Sequence, residues 1–175
     1  YQKLQQLSGK YQASFLYETN VGAGLPIIDT LKNMVASGDR IHKIQAVLSG
    51  SLNFIFHHYQ GEDFASVVGQ AQQLGYTEPD PKIDLSGVDV MRKILILARE
   101  AGLKLEMSDI QNNSFLSSEA LATLDNEALF AQLIQDEGKM RKLWQNAHDQ
   151  GAKLKYTALL DGQKASVGVE VIPKD

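Results

Sequence analysis

The stretch GYTEPDPKIDLSGVDVMRK, residues 75–93, carries Glu78, Asp80, Asp84, Asp89 and Lys93, with prolines at 79 and 81. Asp89 and Lys93 are spaced i, i+4, which on a helix puts them on one side about 6 Å apart, acid before base. Pro79 and Pro81 fix φ and restrict the residues before them, so Glu78 and Asp80 are expected extended. A stiff acidic loop feeding a helix start can aim several carboxylates at one point. That point suits a small cationic group such as an amino acid's ammonium, or a hard metal ion held through oxygens. The plainer alternative is a solvated acidic loop followed by a surface ion pair contributing a few tenths of a kcal/mol.

Two other segments carry donor patterns. In YETNVGAGLP (17–26), two glycines at spacing GxG allow close backbone approach, and Glu18 beside a tight turn exposes oxygens to a cation. It is not a dinucleotide fingerprint, because the third glycine is absent. A plain turn into a helix explains it equally. In LSGSLNF (48–54), Ser49, Gly50 and Ser51 offer hydroxyls and N–H groups to a carboxylate or phosphate, or simply cap a helix. The histidines show no metal-ligand spacing: His57 and His58 are adjacent, His42 and His148 isolated.

The elements that must position these residues follow from periodicity. SFLYETN (14–20) has strand character. IIDTLKNMVASG (27–38) shows a helical stripe that starts at Pro26 and ends at Gly38. HKIQAVLSG (42–50) reads as a strand; SLNFIFHHY (51–59) reads as a helix capped by Ser51 or as continued strand. DFASVVGQAQQLG (63–75) is an amphipathic helix between Asp63 and Gly75. Ser86 is the expected cap of the helix that carries Asp89, Lys93 and the apolar run ILILA. Residues 105–125 are irregular. NEALFAQLIQD and KMRKLWQNAHDQG predict two helices broken near Gly138, with Trp144 in the core. Residues 153–172 predict a β-hairpin turning at Asp161-Gly162. The expected class is α+β: helices packed on a mixed, mostly antiparallel sheet.

Composition sets the outer bounds. The 175 residues suit one domain. A net charge of −4 gives no bulk field for nucleic acid or an anionic membrane. With no cysteine, disulfides, thiolate catalysis and Cys-ligated zinc are excluded. No apolar run approaches the roughly 18 residues that span a bilayer. No signal peptide is visible, and both ends read as cuts in a longer polypeptide; a cytoplasmic location is expected.

YETNVGAGLPII, KIQAVLSGSLNFIF, LGYTEPDP and DLSGVDVMRKILILAREAG, in this order and spacing, resemble homoserine dehydrogenases. More narrowly, they resemble the dehydrogenase half of bifunctional aspartokinase–homoserine dehydrogenases of threonine and methionine biosynthesis. The likeness extends over nearly the whole chain, 1–175, as the substrate-binding and dimerisation region of a two-domain enzyme. It implies interconversion of L-homoserine and L-aspartate 4-semialdehyde with NADP or NAD, bound mainly by a Rossmann domain outside this chain, and a homodimer or higher oligomer. It implies no nucleic acid and no membrane partner.

Position by position, the resemblance makes Lys93 the catalytic proton donor. Glu78, Asp84 and Asp89 become substrate-binding acids, and Gly50, Ser51 and Tyr76 neighbours of the substrate. Gly75 falls beside the nicotinamide. Glu18 with the carbonyls of Val21, Ala23 and Leu25 matches a sodium site. Ile83 departs from the family, where many relatives have an acid. The alternatives are the substrate domain of another oxidoreductase, such as a dihydrodipicolinate-reductase-like enzyme, or a non-catalytic dimerisation or ligand-sensing module.

Overall fold

Caps set most helix starts. The computed structural model describes residues 2–174. Helix α1 (Gln2–Tyr11) leads to a 3-10 turn at Glu18–Asn20 and to α2 (Ile27–Ala36). Residues 14–20 therefore form no strand, contrary to their β-branched and aromatic look: Glu18 is drawn away to cap α2, its Oε1 and Oε2 accepting from the Ile28 and Asp29 N–H at 2.7 and 2.8 Å.

Strand β1 (Lys43–Ala46) is shorter than its apolar run, because α3 (Gly50–His58) begins at once. The cap of α3 is Ser49, not Ser51: Ser49 Oγ accepts from the Leu52 N–H at 3.2 Å. Helix α4 (Phe64–Gln73) starts at Asp63 as expected, the side chain accepting from Ser66. A short helix, α5 (Pro81–Leu85), occupies the acidic loop, with Asp80 extended and capping it and Pro81 in its first turn. Ser86 closes α5, and Gly87 precedes α6 (Val88–Glu100), so Ser86 is not the expected cap.

The irregular segment 105–125 contains strand β2 (Ile110–Asn113) and helix α7 (Ser118–Ala122). Helices α8 (Asn126–Gln135) and α9 (Glu137–Asp149) break at Asp136; Gly138 lies inside α9. Strands β3 (Ala152–Asp161) and β4 (Lys164–Pro173) form the hairpin, with Asp161 opposite Lys164. The two loop residues are thus Gly162 and Gln163, one position on from the expected pair. Gly162 alone has positive φ, the pattern of a II′ turn.

The sheet order is β1-β3-β4-β2, antiparallel except for the parallel pair β2–β4. Helices α3, α6 and α9 pack on β3, and α6 also on β4. Leu154, Tyr156, Ala158 and Leu160 of β3, with Ala165 and Val167 of β4, are buried with Leu52, Ile55, Ile94 and Leu97. Each buried leucine, isoleucine or valine among them contributes about 1.5–3 kcal/mol of burial free energy. This core seats α3 and α6 on the same strand, β3, and their N-terminal ends carry the candidate site. Among the described residues no helix is long and apolar enough to cross a membrane.

Candidate functional site

Lys93 sits on the second turn of α6, half-buried with its side chain 25% exposed. Its Nζ donates to the Leu48 carbonyl at 2.9 Å and pairs with Asp89 Oδ2 at 2.7 Å. An ammonium has three donors, so one N–H remains beyond these two contacts. Leu48 lies in the segment that leads from β1 into α3. The lysine is therefore tied to α3 by a main-chain oxygen and to its own helix by the i, i+4 acid.

A hydrogen-bonded chain runs on from that point. Ser49 Oγ lies 3.0 Å from Ser51 Oγ, both side chains buried. Ser51 Oγ donates to Asp84 Oδ1 at 2.7 Å, and Asp84 Oδ2 accepts from the Glu78 N–H at 2.9 Å. The loop before α5 is braced further. Pro79 O accepts from Gln72 Nε2 at 3.0 Å and from Asn126 Nδ2 at 2.9 Å, and Lys82 Nζ donates to the Thr123 carbonyl. Glu78 is exposed, and its carboxylate makes no hydrogen bond or ion pair among the described residues. It is the acid left available to a ligand; Asp84 is committed to the scaffold.

Gly75 ends α4 with φ +74, and an added Cβ there would meet nothing within 4 Å. The space beside its backbone is open. The next residue, Tyr76, is 53% exposed, and its ring stacks on Phe54 of α3 at 4.5 Å. Phe54 in turn stacks on His58 at 3.9 Å. Gly50 is exposed in the first turn of α3.

The structure thus brings Gly50, Ser51, Gly75, Tyr76, Glu78, Asp84, Asp89 and Lys93 onto the joined ends of α3, α4, α5 and α6. The sequence offers Ser49 and Ser51 as equivalent caps without saying which one serves, and it hides the Leu48 carbonyl as the partner of Lys93, since a carbonyl leaves no trace in residue type. It also hides Phe54, which looks like any core aromatic of α3.

The turn at 18–25 lies on a different part of the surface, before α2. Its Glu18 carboxylate is taken by the two α2 N–H groups, while Gly22 and Ala23 have φ of +79 and +51 and reverse the chain. Among the described residues no cluster of three or more His, Asp or Glu side chains has metal-binding geometry.

A sequence profile of the Homoserine dehydrogenase family matches residues 26–175. The chain belongs to the homoserine dehydrogenase family. Along its whole length it is 39% identical, over 178 residues, to the chloroplastic bifunctional aspartokinase/homoserine dehydrogenase 2 of Arabidopsis thaliana, of which it covers 19%. Among solved structures, a Candida auris protein of unknown function matches 98% of the chain at TM-score 0.86 and 31% identity, the match covering 52% of that protein. A putative homoserine dehydrogenase from Archaeoglobus fulgidus shares the fold at TM-score 0.76 and 22% identity, covering 98% of this chain and 48% of that one. The chain spans about a fifth of the length of the first curated relatives it matches.

Proposed function

We propose that this chain is the substrate-binding part of an NAD(P)-dependent enzyme interconverting L-homoserine and L-aspartate 4-semialdehyde. The observation that carries the reading is Lys93 Nζ, held between Asp89 and the Leu48 carbonyl with one N–H to spare, beside the braced acidic loop. In the reducing direction the substrate carbonyl carbon gains a hydride and its oxygen gains a proton. Lys93 gives that proton from Nζ and recovers it from the hydroxyl in the reverse direction. Asp89 holds the ammonium of Lys93 in place. Glu78 accepts from the substrate's α-ammonium through charge-assisted hydrogen bonds. Asp84 and Ser51 set the position of Glu78 through its own N–H. When bound, the nicotinamide supplies or takes the hydride; Gly75, with open space beside its backbone, is the residue of this chain that would border it, and Tyr76 borders the substrate.

Two finer assignments belong to the same reading. A sodium ion at the turn 18–25 would be held by Glu18, whose carboxylate also caps α2, with the carbonyls of Val21, Ala23 and Leu25. Self-association as a dimer would use the outer sheet face, where Leu159 lies opposite Gln45 and Ser166.

The test is Lys93→Ala in a longer protein that contains this chain and a cofactor domain. Loss of a general acid lowers kcat roughly 10²–10⁴-fold. Lys93→Arg should not restore it, since guanidinium holds its proton near neutral pH. Turnover of homoserine within threefold of wild type by Lys93→Ala would leave only the surface ion pair, and the catalytic assignment would be withdrawn.

A further inference from the structure

A second cavity lies at the opposite end of α3, about 9 Å along the helix from Ser51 at 1.5 Å per residue. It holds about 230 Å3 between the last turns of α3 and α9, the start of β3 and Lys174. β1 pairs only with residues 158–161 of β3, so the cavity borders the part of β3 that β1 leaves uncovered. Its wall carries Lys153, Lys155, Lys174, His57 and His148, and no carboxylate of the described residues.

The lysines are short of partners. Lys155 Nζ donates to Asn53 Oδ1 at 2.7 Å, while neither Lys153 nor Lys174 forms an ion pair among the described residues. Two acids stand near the wall: Glu137, which accepts from the Tyr59 hydroxyl at 2.9 Å and the Phe64 N–H at 2.8 Å, and Glu170, opposite Lys155 across the β3–β4 pair and accepting from Gln45 Nε2 at 3.2 Å. Two helix C-termini face the cavity, each equivalent to about half a negative charge. Against three ammonium groups these and the Glu170 carboxylate leave about one positive charge, in a chain whose net charge is −4.

We propose that this cavity binds a small phosphate ester. Lysines act as point charges that suit a tetrahedral polyanion, and the cavity lacks the arginine fork that favours a planar carboxylate. The volume lies below the roughly 300–1,000 Å3 of drug-sized ligand sites, which restricts the ligand to a few carbons and excludes a dinucleotide. The site owes nothing to the oxidoreductase reading.

Trp144, the chain's one tryptophan, borders the cavity and serves as the reporter. Its ring is fixed by His148, stacked at 4.6 Å, and by Gly61, whose added Cβ would fall 2.6 Å from the indole. Titration of the chain with glycerol 3-phosphate should give a saturable change in Trp144 fluorescence. The dissociation constant should weaken at least fivefold in Lys153→Gln and in Lys174→Gln, and stay unchanged in Lys104→Gln, which lies outside the cavity. Both cavity variants should melt like wild type, since neither lysine holds a partner; if one fails to fold, the other decides. The proposal is overturned by the absence of a saturable change, by the same change from sodium chloride at matched ionic strength, by equal affinity of glycerate, or by undiminished affinity in the lysine variants.

Discussion

At the residue scale, Asp84 and Glu78 divide two tasks that residue type alone does not separate. Asp84 has both oxygens engaged by Ser51 Oγ and the Glu78 N–H, whereas the Glu78 carboxylate faces solvent. Asp84→Ala should therefore cost about 2 kcal/mol of stability through two lost bonds to a charged acceptor. Asp84→Asn should cost under about 1 kcal/mol, because its amide oxygen still serves Glu78 and its NH2 can donate to Ser51. Denaturant unfolding of both variants checks this; equal losses would remove the brace. Glu78→Gln should leave unfolding unchanged and raise the homoserine KM of the longer enzyme about 10- to 100-fold, the worth of a charge-assisted bond of about 1.5–3 kcal/mol. The candidates Lys93, Asp89, Glu78 and Asp84 were legible because charge and spacing are written in residue types. That Asp84 is a strut was not, because its partners Ser51 and Glu78 N–H meet it only when α3 and α5 are packed together.

At the element scale, the approach to α6 is fixed by one close fit. Gly87 has φ +73, and a Cβ added there would fall 1.9 Å from Tyr156 Oη and 3.0 Å from its Cζ. That hydroxyl is buried without a hydrogen-bond partner among the described residues, and burial pushes its pKa up to about 12. Tyr156→Phe should be neutral or stabilising, because an unsatisfied buried hydroxyl costs about 1–3 kcal/mol. Gly87→Ala should destabilise strongly in wild type and less in the Tyr156→Phe background; a double-mutant cycle with no coupling would refute the contact. The far end of α6 carries Glu100, its side chain 6% exposed, accepting from the Tyr17 hydroxyl at 2.8 Å and lying 3.9 Å from Lys32 Nζ. Burial raises its pKa above 4.5, so the folded state holds that proton more tightly than the unfolded one. Stability linked to Glu100 is therefore intact at pH below 4.5 and declines as pH rises through the raised value. Glu100→Gln should remove this decline, and melts from pH 4 upward should shift in the variant's favour. Helices α4, α6 and the hairpin were readable from periodicity and turn residues. The false strand at 14–20 and the misplaced caps at Ser51 and Ser86 were not, since local propensity yielded to Glu18 capping α2 and to Gly87 fitting under Tyr156.

At the scale of the whole molecule, the proposed site stands on a mixed sheet, and the chain carries no dinucleotide fingerprint. Titration calorimetry of the chain with NADPH should show no saturable heat at micromolar concentrations; such binding would mean that the chain holds a cofactor site of its own. The overall class was foreseeable from alternating helix and strand signals, whereas the parallel β2–β4 pairing was hidden in Ile110–Asn113, four residues with only one apolar side chain. The pairing of β1 with β3 has a kinetic consequence. Residues 43–46 find their partners only at 158–161, near the far end of the chain. Closing so long a loop is slow, and proteins rich in such distant pairings refold in milliseconds to seconds. A ribosome that has delivered residue 150 has made the helices but not the strand on which they lie. Until β3 arrives, Leu52, Ile55, Ile94 and Leu97 have no sheet to cover them.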